Sequence, residues 1–126
     1  MEAAQWFLEA KERRPVGMLG WAVATAAAFE MLRQRACAEV AKPVWWNDEG
    51  LKALSTRVVR AAPNDGPANQ MRAMVLTGRC DAWEAGPRSA AELEEAATYY
   101  ELAAALSPAP AVKAQLIACA DFCRSL

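Results

Sequence analysis

The cleanest run of hydrophobic periodicity lies late in the chain. From Ser89 to Leu106, apolar and small residues recur at Leu93, Ala96, Ala97, Tyr100, Ala103 and Ala104, the i, i+3, i+4, i+7 spacing of one helical face. Tyr99, Leu102 and Leu106 widen that stripe, which predicts apolar neighbours on two sides of the helix. Its start is a capping box. Ser89 can accept from the backbone N–H of Glu92, and the Glu92 carboxylate can reach back to the Ser89 N–H. Pro108 and Pro110 end the helix, because each lacks an N–H and biases the preceding residue away from helical geometry. A further apolar segment, Ala111 to Leu126, begins at once, so a tight helical hairpin is the predicted unit.

The same periodicity, read from the beginning, predicts a short amphipathic helix over Met1–Arg14, broken by Pro15 and Gly17. A longer helix follows over Gly17–Ala41, with Met18, Ala22, Thr25, Phe29, Leu32, Ala36 and Val40 as its stripe. Val16 to Phe29 carries no charge, yet it is shorter than the roughly 18 to 20 apolar residues that span a bilayer. Ala24–Thr25–Ala26 resembles a signal-peptide cleavage site, but the segment before it is long and carries acids. The reading is a buried helix.

Pro43 to Asp48 is a turn in which Trp45 or Trp46 can staple onto the next helix, with Asn47 or Asp48 as its N-cap. Leu51, Leu54, Val58 and Ala61 or Ala62 face that helix inward. The Pro63–Pro67 loop punctuates strongly and places a proline in the first turn of the following helix. That helix, Ala68–Trp83, has Met71, Met74, Val75, Gly78 and Ala82 on one side. Asn69, Arg72 and Arg79 lie opposite, with Leu76 between. Six helices with short loops and no alternating strand pattern give an all-α chain of antiparallel hairpins, stacked as a short α-solenoid or gathered into an irregular bundle. Residues 1–43 form an N-terminal helical part and residues 44–126 the hairpins, as one continuous domain.

Composition narrows the chemistry. The 126-residue chain has no histidine, which removes the triads built on it, the usual base at neutral pH and every imidazole metal site. A net charge of −1 gives no polyelectrolyte attraction to nucleic acid. Cys37, Cys80, Cys119 and Cys123 form no C-x-x-C pair, so they read as small reduced core residues in a cytoplasmic or other reducing compartment. Neither a metal nor another cofactor is expected. Glu92 is accounted for as a cap, Cys119 has no evident base, and the glycines do not form a phosphate-cradling loop. Catalysis is not expected either. Alanine makes up about a quarter of the chain, so helices can approach closely.

Ala96-x3-Tyr100-x2-Ala103-x4-Pro108 resembles the second helix of a tetratricopeptide repeat: a small residue, an aromatic, an alanine and a proline at those gaps. Leu54-x3-Val58-x2-Ala61 echoes it upstream. Ala114-x2-Ile117-Ala118 and Met71-x2-Met74-Val75 resemble the small-residue contact of that family's first helix. The interval from Gly78 to Ala96 is longer than the repeat allows and requires a helix extension or an inserted loop at Glu84–Arg88.

The resemblance covers the C-terminal two-thirds. It implies a non-enzymatic scaffold or adaptor whose groove binds a peptide or a neighbouring subunit. By the same analogy Asn69, Arg72 and Arg79, with Lys113, Gln115 and Phe122 on the last helix, face a protein partner, and the arginines suit an acidic segment or a chain-end carboxylate. The charge-free Val16–Phe29 run and the five tryptophans support a second expectation. It is an accessory subunit fixed to a larger assembly, including one in a membrane.

Overall fold

Proline, asparagine and serine mark the helix starts as their chemistry requires. The computed structural model describes residues 17–33, 44–78 and 83–126. Among these residues there are five helices and no strand: α1 (Leu19–Arg33), α2 (Asp48–Ala61), α3 (Gly66–Thr77), α4 (Ala90–Leu106) and α5 (Pro110–Ser125). The all-α class is established. The expected Met1–Arg14 helix, and Ala36 and Val40 of the second stripe, lie outside the described residues.

Asn47 caps α2, its Oδ1 accepting from the Gly50 N–H at 2.8 Å. Asp65 caps α3 through the Ala68 N–H, and Pro67 sits in the first turn. Both bonds of the Ser89–Glu92 capping box are made, at 3.1 and 3.0 Å. α5 starts on Pro110 without a side-chain cap. α4 ends at Leu106, ahead of both prolines.

The core has two main parts, and α3 stands between them. On one side Ala68, Met71 and Val75 of α3 pack with Trp21, Ala22, Ala26 and Phe29 of α1 and with Leu51, Leu54 and Val58 of α2. On the other side Ala73 and Leu76 meet the alanine and tyrosine stripe of α4. Small side chains let these helices approach closely, and dispersion rewards the fit. α4 is in turn covered by Leu116, Ala120 and Cys123 of α5. Tyr100 is 8% exposed, in the middle of this second part. Trp45 and Trp46 pack back onto the first part, as expected of a staple. Phe29, Trp46 and Trp83 form a mutual aromatic cluster with centroids 5.5 to 6.1 Å apart.

Four sequence readings need correction. The helix expected over Ala68–Trp83 runs Gly66–Thr77, because Gly78 takes a left-handed conformation and ends it, so neither Gly78 nor Trp83 belongs to its face. Met18 was placed on the buried stripe of the second helix, but it precedes α1 and is 60% exposed. The helix α3 was expected to have one apolar side and one polar side. Instead Asn69 and Leu76, on the supposed polar side, are both buried, because α3 has packing partners on both flanks. Finally, Ala114, Ile117 and Ala118 of α5 were expected to make its packing contact. The buried residues are Leu116, Ala120 and Cys123, and the expected trio faces outward. The buried set is itself a 4, 3 spacing, so one face was replaced by its neighbour.

Candidate functional site

The loop after α3 is held by one carboxylate. Asp48, at the start of α2, accepts from Trp83 Nε1 at 3.1 Å, from the Gly86 N–H at 3.2 Å and from both terminal nitrogens of Arg88. Arg88 also donates to the Val75 and Leu76 carbonyls at the C-terminal end of α3. These donors, led by the Arg88 guanidinium, hold the Asp48 carboxyl well below the usual carboxylate range. Lys52 extends the network, reaching Glu92 at 2.8 Å and Asp48 at 3.9 Å. Its ammonium, with the Ser89 N–H, holds Glu92 down to about 2. Every group in this cluster has a structural partner, so it acts as a clamp between α2, α3 and the entry to α4.

The residues expected to meet a partner fall in different places. Asn69 is 1% exposed, and its Nδ2 donates to the Pro63 and Asp65 carbonyls at 3.1 and 2.9 Å. It fastens the loop before α3 and does not reach a surface. Arg72 is mostly turned inward as well. Its Nη1 donates to the Lys52 carbonyl and to Ser55 Oγ, and its Nη2 lies 3.6 Å from Glu95. Arg79 lies outside the described residues. Lys113 and Gln115 are both exposed on α5. They stand about 160° apart on the helix, and Gln115 alone borders a depression. Phe122 borders the same depression.

α3 keeps one accessible face. Pro67, Gln70, Met74 and Thr77, spaced 3, 4 and 3 residues apart, share that face and border three apolar depressions. The first, about 420 Å³, lies against α1 between Val23, Phe29, Met31 and Gln70. The second, about 340 Å³, lies against α4 and α5 and has Met74, Thr77, Tyr100, Gln115, Cys119 and Phe122 among its walls. The third, about 230 Å³, lies at the other end of the α3–α5 groove beside Leu106, Val112 and Leu116. Glu30, paired with Arg33 at 2.7 Å, is the one carboxylate that borders any of them.

Burial pushes the Tyr100 hydroxyl well above its ordinary value, with the Cys119 and Cys123 thiols adding to the effect. Burial likewise pushes the Cys119 thiol up. Both groups are therefore neutral at physiological pH. Sequence reasoning found Gln115 and Phe122 but missed the Gln70–Met74–Thr77 face, which could be found only by knowing that both flanks of α3 are covered. On the outer side, Arg124 makes paired contacts with Glu94 and Glu101 of α4, which hold Glu101 low and Arg124 high.

Among the described residues no group of three or more histidine, cysteine, aspartate or glutamate side chains is placed to hold a metal ion. No helix of the described residues is long and apolar enough to cross a membrane. Comparison with known proteins finds no matching family model, no matching curated protein and no matching solved structure.

Proposed function

We propose that the chain is a non-enzymatic protein–protein interaction module, a scaffold or adaptor built as a short α-solenoid of the tetratricopeptide type. One observation carries this reading: a single half-buried but accessible face of α3 borders three apolar depressions, two of them along the groove between α3 and α5. Helices that pack mainly on their chain neighbours, with alanine at the contacts, support the stacked arrangement. A peptide or neighbouring subunit would bind by placing apolar side chains in the depressions. Gln70 and Gln115 would supply hydrogen bonds that fix its orientation. The preference for an acidic segment has little support, since Arg72 is engaged internally and Lys113 stands away from the groove.

The test is a displayed peptide library selected on the intact chain, followed by affinity measurements with surface variants. Ala118→Glu puts a charge at the exposed edge of the α3–α5 groove, and it should weaken the selected peptides at least about tenfold. Arg60→Glu, on the exposed side of α2, should leave them unchanged. Peptides that bind Ala118→Glu and Gln70→Glu as tightly as the parent would remove this face from the function.

Exposed apolar side chains at the start of α1 and along α5 favour a second reading, an accessory subunit fixed to a larger assembly, including one in a membrane. Met18 and Leu19 precede or open α1, and Ile117 and Leu126 lie on or beside α5. Light scattering with and without lipid vesicles separates the readings. A monomer that ignores vesicles supports the adaptor; aggregation or partitioning supports the subunit.

A further inference from the structure

We propose that the outer side of α5 pairs antiparallel with the same side of a second copy of this chain, giving a weak symmetric dimer. Lys113, Ile117 and Asp121 follow one another at intervals of four, which sets them in one row along the helix. All three are exposed, Ile117 at 45%. Ile117 stands about 160° around the helix from both Gln115 and Cys119. The row therefore faces away from the groove that those two residues border.

Charge decides the occupant and its direction. Arg124, on the same side of α5, is held by Glu94 and Glu101 of α4. Among the described residues, by contrast, Lys113 and Asp121 have no ion-pair partner. They lie about 12 Å apart along the helix axis, too far to meet each other. Arg124 and its two glutamates leave a further net negative charge beside the Asp121 end. The row is thus positive at one end and negative at the other, with an isoleucine midway. A parallel copy would set like charges together. A twofold axis at Ile117 instead brings each Lys113 opposite the second copy's Asp121, so both charges find partners.

The neighbouring row fits the same arrangement. Pro110, Ala114 and Ala118 are exposed and small, so the second copy's Ile117 can lie between the two rows, as in the commonest helix crossing. One helix against one helix falls at the low end of interface sizes, below about 1,200 Å², which makes the dimer weak and dissociable on dilution. It uses the side of α5 opposite the groove, so self-association and peptide binding can fail separately.

Sedimentation velocity on the full chain, from about 10 µM to 1 mM under reducing conditions, tests the proposal in the range expected of a small interface. The parent should pass from monomer to dimer, and less so at high salt. Lys113→Glu and Asp121→Lys each replace two attractive contacts by two repulsive ones, and each should raise the dimer dissociation constant at least about tenfold. All the altered side chains are exposed, so the circular dichroism spectrum should not change. Mixed in equal amounts, the two variants should form a heterodimer about as tight as the parent dimer, because every contact again joins opposite charges. A parent that stays monomeric throughout would leave this side of α5 to a different protein and overturn the dimer. Single variants that dimerise like the parent, or a mixture that associates no better than its components, would overturn it too.

Discussion

Gly78 shows how one residue can serve two requirements. It closes α3 in the left-handed region at φ +63°, where its N–H returns to the Met74 carbonyl at 3.3 Å. A Cβ there would also lie 2.9 Å from Cζ of Arg88. That guanidinium cannot easily withdraw, because Asp48, Val75 and Leu76 all hold it. Gly78→Ala should therefore cost more than the roughly 1 to 2 kcal/mol of left-handed strain alone. In an Arg88→Ala background its cost should fall back to that range, as read from urea midpoints; equal costs in both backgrounds would refute the contact. Glu92 gives a pH dependence at the same scale. Lys52 and the Ser89 N–H hold its carboxyl at about 2 in the fold, below the ordinary glutamate value of 4.5, so the unfolded chain takes up the proton first. The stabilisation is therefore complete above about pH 4.5 and lost as the pH falls toward 2. Glu92→Gln should show a smaller drop in urea midpoint than the parent between about pH 7 and pH 3. A parallel drop in both would exclude the Lys52 and Ser89 contacts as its source.

At the scale of the elements, local signals were legible and distant ones were not. The Ser89–Glu92 box, the Asn47 cap, Pro67 in the first turn of α3 and the Ala96–Tyr100–Ala103 stripe of α4 all depend on residues within a turn or two of each other, and the structure has each of them. Neither Asp48 nor Arg88 carried a sequence mark of their pairing, because 40 residues separate them and only the folding of α2, α3 and the 83–89 loop brings them together. The burial of Asn69 and Leu76 was hidden for a related reason. A helix covered on both flanks has no single stripe, so periodicity assigns one flank to solvent by default. Of the candidate surface, Gln115 and Phe122 were found and the α3 face was not. The clamp also sets a prediction for the elements it joins. Arg88→Ala takes the guanidinium from a carboxylate that then keeps only the Trp83 and Gly86 donors and the more distant Lys52, and it strips donors from two carbonyls of α3. It should lower stability by about 3 to 5 kcal/mol, measured by chemical denaturation, and shift the Trp83 fluorescence. A loss below about 1 kcal/mol would reduce the network to an exposed ion pair.

For the whole molecule, the consequence of this packing is uneven stability along the chain. α3 is enclosed from two sides, by α1 and α2 and by α4, and contributes to both main parts of the core. α5 rests chiefly on α4 and buries three residues, Leu116, Ala120 and Cys123, while Val112, Ile117 and Phe122 remain exposed. Its outer ion pairs, from Arg124 to Glu94 and Glu101, are solvent-exposed and add little. Opening should therefore begin at α5, as a unit of lower free energy than the rest. Leu116→Ala removes a side chain that is 5% exposed at the α4–α5 contact, and should weaken that unit by about 2 to 4 kcal/mol. Hydrogen exchange followed by peptide mass spectrometry checks both statements. In the parent, α5 amides should exchange before those of α3. In Leu116→Ala, protection should fall sharply across α5 and the facing side of α4, while α1, α2 and the buried amides of α3 keep their rates. Loss of protection in all five helices together would mean one cooperative unit, and α5 could not then separate from α4 to open the groove it forms with α3.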